Sequence, residues 1–307
     1  MARAGTERVG GIDVPVTRPD KLFFPDDGIT KGDLIDYYGR VAAAMIGFLR
    51  DRPLVMERYP DGITGQGVVQ KNVPRYFPDW VTRAEVPKLD GGALCQVVGD
   101  KPATLVYLAN QGCVELHVFL SALGALDRPD QLVFDLDPPD TGHFGEARRT
   151  ALDLRELLEG ELGLAAYVKT TGGKGLHVHV PLRPSDDFDS VRGFAREIAD
   201  LLVRRSPDRL TVEPRKENRG QRLYLDLMRN GYAQMAVAPY SVRARPGAPV
   251  ATPLDWAELD DGLRPGQFTI RTVPDRIGRL PDPWAGMARH RRGLAAPRRR
   301  LAALPAA

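Results

Sequence analysis

Four stretches of this chain alternate between aliphatic and chemically reactive side chains, and no other feature restricts its folding as tightly. Val114 to Leu120 carries Glu115 and His117, Leu132 to Asp137 carries Asp135 and Asp137, Leu176 to Leu182 carries His177 and His179, and Leu223 to Leu227 carries Tyr224 and Asp226. Successive side chains of an extended strand point to opposite faces, so each stretch has one aliphatic face and one polar face. With the aliphatic faces packed under helices, the polar faces are expected to line a common cleft. Asp135 and Asp137 would then stand side by side at the end of a strand. Two like charges at that spacing repel, and burying them unpaired is costly unless one takes up a proton or a divalent cation intervenes. Taken alone, an Asp-x-Asp is as readily a solvated strand end as a metal site.

Helical patterning separates these stretches. Residues 1 to 30 read as irregular. Thr30 then caps a helix, with Asp33 completing a capping-box-like pair, and Leu34, Tyr38, Val41, Met45 and Phe48 form its buried stripe up to Arg52-Pro53. Short strand-like pieces follow near 54–58 and 67–71, and residues 72–92, rich in Pro and Gly, read as a loop-rich connection. A helix over about 144–162 stops at Gly163, a strand spans 164–170, and a second helix runs over about 187–204. Strands alternating with helices argue for an α/β body.

Composition narrows the function classes. At 307 residues and 43% apolar content the chain can bury a substantial core. Cys95 and Cys113 form no CxxC pair and no structural zinc set, so a reduced, cytosolic setting fits best, with a single disulfide left open. No apolar run approaches the roughly 20 residues that span a bilayer, and the N-terminus lacks the apolar core of a secretory signal. Of the net +3 charge, six arginines between Arg289 and Arg300 follow the last acidic residue, Asp282, so the body is net negative. Any contact with nucleic acid must therefore use local patches, with residues 286–307 as a basic, flexible tail.

Three aspartates without a cysteine cluster suit hard cations, Mg2+ or Mn2+. Two such ions about 4 Å apart support an in-line phosphoryl displacement. A zinc hydrolase built on His177 and His179 needs a third ligand that the motif does not supply. Thr171-Gly172-Gly173-Lys174-Gly175 is phosphate-directed in type, since glycines admit an anion close to the backbone and Lys174 adds charge. It is not a Walker A loop, because Gly175 stands where Ser or Thr is required. Lys88-Leu89-Asp90-Gly91 matches the KxDG core of nucleotidyl-transferring ligases, but no further ligase pattern follows it.

Together these motifs resemble the polymerase domain of bacterial non-homologous end-joining DNA ligase D, a branch of the archaeo-eukaryotic primase superfamily. The resemblance runs through Asp20-Lys21, Gly28 to Lys31, Asp36-Tyr37-Tyr38, Arg58 to Gly62, Glu115-Leu116-His117, Val133 to Pro138, Thr171 to His177, Asp226 and Ala238 to Arg243, covering about residues 18–280. It implies a mixed α+β fold with mainly antiparallel sheets flanked by helices around a central cleft. It also implies a template-dependent nucleotidyl transferase that extends primers and fills gaps with NTPs or dNTPs at broken DNA ends. By position, Asp135, Asp137 and Asp226 are the catalytic ligands of two Mn2+ or Mg2+ ions. His117, Thr171, Lys174, His177 and Arg243 fall at nucleotide-binding positions. Lys21 and Lys31 match lysines that grip the 5′-phosphate of the downstream strand, and Arg58 and Lys71 fall at template contacts.

Two departures stand out. Val68-Val69 occupies the place where the family commonly has two aromatics against the template, and losing stacking of about 1–3 kcal/mol per base weakens that contact. Glu57 precedes Arg58 where relatives often carry a basic residue. The expected organisation is one polymerase domain over 1–285, with a DNA-binding portion near 1–92 and a catalytic portion near 93–285. The 307 residues hold no ligase or nuclease module, which leaves a stand-alone cytoplasmic, nucleoid-associated enzyme working with a separate ligase and a Ku-like end-binding protein, or an excised domain; the start at Met1 favours the former. A different class, a non-catalytic DNA-end or gap-binding module that recruits repair proteins, would bind such ends without incorporating nucleotides.

Overall fold

The computed structural model describes residues 5–305. Its contacts divide the chain into two compact units. One takes the described residues up to Phe119 together with Met235–Thr252 and Gly266–Asp282; the other takes Leu120–Gln234, Pro253–Pro265 and the described residues from Pro283 onward. The later segments return to the first unit because Met235–Val237 pairs with Cys113–Phe119.

In the first unit an antiparallel sheet runs in the order Met235–Val237, Cys113–Phe119, Pro53–Arg58, Ala93–Val98, Arg83–Pro87, with Val68–Gln70 also alongside Pro53–Arg58. The helix Lys31–Leu49 opens with the expected capping box, Thr30 N donating to Asp33 Oδ2 at 2.7 Å and Asp33 N donating to Thr30 Oγ1 at 3.1 Å. Its stripe is buried at Leu34, Tyr38, Val41 and Met45 and ends on Ile46 and Leu49, with Phe48 only half-buried beside Tyr240. The buried Tyr37 and Tyr38 hydroxyls donate to Tyr240 O and Val114 O, both at 2.7 Å.

Three elements of this unit differ from the sequence reading. Residues 5–30 are not irregular: Gly5–Val9 and Ile12–Val16 form a hairpin around Gly10-Gly11, both at positive φ, the turn chemistry that favours a two-residue hairpin. Residues 1–4 of that stretch lie outside the described residues. Arg83–Pro87 is a strand within the stretch read as a loop. Pro102–Asn110 is a helix buried at every position from Ala103 to Asn110. A helix enclosed on all sides has no polar face, so no 3.6-residue period marks it.

In the second unit the sheet order is Leu210–Thr211, Leu223–Asp226, Gln131–Asp137, Leu176–Pro181, Tyr167–Thr170, Pro253–Leu254. Only the Leu210–Thr211 pairing is parallel. Helix Phe144–Arg155 continues as a wider π-type turn over Glu156–Leu162 and ends at Gly163, whose φ of 71° provides the left-handed stop. Helix Phe188–Arg205 starts at Asp187, which accepts from Ser190 N at 2.7 Å. Both helices lie against the aspartate strand, whose Leu132, Phe134 and Leu136 are fully buried.

The stretch read as a flexible basic tail is instead folded into this unit. It forms the helix Ala295–Ala303. Arg291 Nη2 donates to the buried Asp130 at 2.7 Å, and Arg298 Nη2 donates to Ser190 O at 2.6 Å with its guanidinium over the Phe194 ring. Partners more than a hundred residues away absorb these charges, which a local charge count cannot register. Among the described residues no helix is long and apolar enough to cross a membrane, and both cysteines are free.

Candidate functional site

Three of the four alternating stretches share the sheet of the second unit, and its register assembles their polar faces. Asp135 stands opposite both Asp226 and His177, His177 stands opposite Lys169, and Asp137 stands opposite Tyr224. Directly opposed residues of antiparallel strands share a face with Cβ atoms about 5 Å apart. Asp226, Asp135, His177 and Lys169 therefore form one row across four neighbouring strands, with Asp137 and Tyr224 in the adjacent row.

A histidine and three cations surround the carboxylates. His177 Nε2 lies 3.4 Å from Asp135 Oδ1 and Arg229 Nε 3.5 Å from Asp135 Oδ2. Lys174 Nζ lies 3.1 Å and Arg219 Nη1 3.6 Å from the two Asp137 oxygens. Burial opposes ionisation of Asp135, but His177, Arg229 and the fully buried Lys169 outweigh it and bring its pKa down to about 2. Burial, reinforced by Lys169, lowers His177 to about 4 against the pull of Asp135, so the imidazole is neutral at pH 7. Asp226 moves the other way: burial first, and then the charges of Asp135 and Asp137, raise its pKa. That crowding of carboxylates at the strand ends is what a divalent cation relieves.

The Gly-rich loop closes on itself beside this row. Thr171 Oγ1 donates to Gly175 O at 3.0 Å and accepts from Gly173 N at 3.2 Å, while Lys174 Nζ donates to Pro138 O at 2.6 Å. A side chain at Gly175 would put its Cβ 2.3 Å from Leu136 O, so the loop can approach the aspartate strand only as glycine.

The fourth alternating stretch lies in the first unit's sheet, where Glu115 and His117 meet different partners. Glu115 Oε2 accepts from Arg243 Nε at 2.8 Å and lies 3.3 Å from His117 Nε2, and Glu115 Oε1 accepts from Ala244 N at 2.8 Å. Burial opposes its ionisation, yet the His117 bond, the Arg243 charge and the Ala244 N–H bring its pKa down to about 2. Glu57 Oε2 lies 3.8 Å from His117 Nε2 and its Oε1 accepts from Tyr59 OH at 2.6 Å. One donor atom each of Glu57, Glu115 and His117 falls within 4.8 Å of the others, a set able to hold an ion, although Arg243 and Ala244 already engage Glu115.

The remaining expected residues are also in the first unit. Lys21 Nζ donates to Pro60 O at 2.6 Å and pairs with Asp61 at 2.7 Å, and the buried Lys31 donates to Thr17 O at 2.5 Å. Arg58 is engaged internally by Gln111 O, Gln70 Oε1 and Tyr76 OH, whereas Lys71 is exposed. Val68 and Val69 are 48% and 61% exposed, two aliphatic side chains open to solvent. Arg219, Arg229 and Lys169 are the residues that sequence reasoning missed. Only Lys169 carried a signal, lying two positions before Thr171 in a strand whose partner holds His177.

A mixed α+β fold with antiparallel sheets and three strand-borne carboxylates in two adjacent rows is the architecture of a primase-type polymerase domain. The family model described as LigD, primase-polymerase domain matches residues 30–284, and the chain belongs to that family. It is 35% identical over 301 residues to the multifunctional non-homologous end joining protein LigD of Pseudomonas aeruginosa, covering 97% of this chain and 36% of that protein. It is 35% identical over 262 residues to the bifunctional non-homologous end joining protein LigD of Bacillus subtilis, covering 85% of this chain and 42% of that protein. The chain thus spans well under half the length of these relatives. The solved polymerase domain of Mycobacterium tuberculosis ligase D in complex with DNA superposes with a TM-score of 0.83 at 30% identity, over 89% of this chain and 97% of that one. The fold is that of the archaeo-eukaryotic primases.

Proposed function

We propose that this chain is a template-dependent nucleotidyl transferase that extends primers and fills gaps at broken DNA ends, with NTPs or dNTPs as substrates. The observation that carries the reading is the register-locked row of Asp226, Asp135 and His177 with Asp137 beside it. Asp135 and Asp137 would hold two divalent ions, and Asp226 would complete the set for one of them; an all-oxygen donor set suits Mg2+ or Mn2+. Such ions, when bound, polarise the transferring phosphoryl group and lower the pKa of the attacking hydroxyl.

The chain's own residues position the rest. Lys174 and the backbone of the Thr171–Gly175 loop cradle the triphosphate, and His177, held against Asp135, lines the same place. His117 and Arg243, tied together through Glu115, contact the nucleotide. Lys21 and Lys31 grip the 5′-phosphate beyond the gap, and Arg58 and Lys71 meet the template. In this reading the enzyme works in the cytoplasm on 5′-phosphorylated gaps or broken ends, with a Ku-like end binder and a separate ligase as partners.

The test is primer extension on a 5′-phosphorylated gap, comparing NTPs with dNTPs and Mg2+ with Mn2+, for the native chain, Asp135→Asn and Asp137→Asn. Each substitution should lower extension by at least about a hundredfold, the scale of losing a group that stabilises transition-state charge. Extension at the native rate in either variant refutes the assignment. Tight binding of the gap with no incorporation by the native chain under either metal would return the non-catalytic reading.

A further inference from the structure

This inference rests on the reading of Lys21 and Lys31 as a 5′-phosphate grip, and it concerns the carboxylate beside them. Backbone bonds fix the grip: Lys31 N donates to Lys21 O and Gly32 N to Pro19 O, each at 2.8 Å, and Lys21 N donates to Arg18 O at 3.1 Å. Arg18 holds a left-handed φ of 48°, uncommon for a residue with a Cβ. The turn 59–62 is docked against the same segment. Ile63 N donates to Phe23 O at 2.9 Å, and Gly62, at a φ of 84°, stands where a Cβ would come within 3.0 Å of Leu22 O.

With the turn held by its backbone, Asp61 is delivered onto Lys21 Nζ at 2.7 Å. Among the described residues this is the one hydrogen bond of the Asp61 side chain, which is 82% exposed. The turn does not need that carboxylate for its own geometry. Arg18, Lys21 and Lys31 crowd one place, and Lys31 is brought down to about 8 by burial and then by the charges of Arg18 and Lys21. Three neighbouring cations, with a solvent-facing carboxylate laid on one of them, are the electrostatic form of an anion site whose occupant is exchangeable.

We propose that Asp61 is a built-in competitor for the 5′-phosphate: its carboxylate caps Lys21, and a terminal phosphate binds by displacing it. A phosphate carries about −1.5 to −2 charge and three acceptor oxygens, so it outcompetes a carboxylate, whereas a 5′-hydroxyl end does not. Asp61 therefore lowers affinity for phosphorylated ends while preventing weaker anions from holding the site.

The experiment measures binding of gapped DNA with a 5′-phosphate or a 5′-hydroxyl to the native chain, Asp61→Asn, Lys21→Ala and the double variant. Because an exposed ion pair is being removed, Asp61→Asn should tighten phosphorylated-gap binding about two- to fivefold and leave the hydroxyl gap within about twofold. In the Lys21→Ala background the same change should give no gain, since the two side chains act as one pair. A loss or no change on Asp61→Asn overturns the proposal, as does an equal gain with and without Lys21, which would mean only a change of net charge. A native chain without preference for the phosphorylated gap would overturn the phosphate-grip reading itself, and this proposal with it. Because Asp61 is exposed, its variant should melt with the native protein, so a gain in binding is read on a folded chain.

Discussion

Glu115→Gln should destabilise the chain by about 3 kcal/mol at pH 7, and the loss should fade in acid. Glu115 is 4% exposed and accepts from Arg243 Nε and Ala244 N, with His117 alongside. Its carboxyl falls from an ordinary value of 4.5 to about 2 in the folded chain. At 1.36 kcal/mol per pKa unit that difference is worth about 3 kcal/mol. A carboxylate whose folded pKa is depressed stabilises fully above its unfolded value, so the contribution is complete at neutral pH. It is lost as pH falls from about 4.5 through about 2, with roughly 2 kcal/mol gone by pH 3. The glutamine keeps an oxygen for Ala244 N but turns an amide donor toward the Arg243 guanidinium, leaving that charge without its counter-ion. Urea unfolding of the native and variant chains at pH 7, 5, 4 and 3 measures the effect, following the transition of the first unit by a fluorescence probe placed there. A difference below about 0.5 kcal/mol at pH 7, or one that stays constant down to pH 3, would refute the reasoning.

Two further outcomes follow from the second unit. Gly175→Ala drives a Cβ to 2.3 Å from the backbone of Leu136, so it should lower stability by about 2–3 kcal/mol and weaken primer extension with all three aspartates intact; unchanged melting and activity would contradict the close approach. Deleting residues 294–307 removes the helix Ala295–Ala303 and its Arg298 contacts, and should lower the melting temperature by several degrees, about 1–2 kcal/mol, where removal of a flexible tail would leave it unchanged.

Legibility in the sequence followed burial geometry. The strands around Asp135, His177 and Asp226 were readable because each is aliphatic on one face, and Lys31–Leu49 because one stripe is buried and Thr30 with Asp33 marks its start. Pro102–Asn110 was unreadable for the converse reason: enclosed all round, it has no contrast between faces. The hairpin at Gly10-Gly11 did have a signal, but its strands are largely exposed and lack the aliphatic face that drew attention elsewhere. Lys169 shows the limit most sharply, since a lysine is expected in solvent and this one is fully buried behind Asp135 and His177.

The sequence alone determined that Asp135 and Asp137 share a face, because the two-residue period of a strand is a local property of the backbone. It also carried the ordered motifs by which the family is recognised. Tertiary structure decided which groups stand across from those carboxylates. The order of strands in the second sheet does not follow the chain, so the opposition of Asp135 to Asp226 and His177, and the approach of Arg219 and Arg229, come from pairings between segments tens of residues apart. Such pairings are set by the burial of whole faces, and no spacing within one segment encodes them.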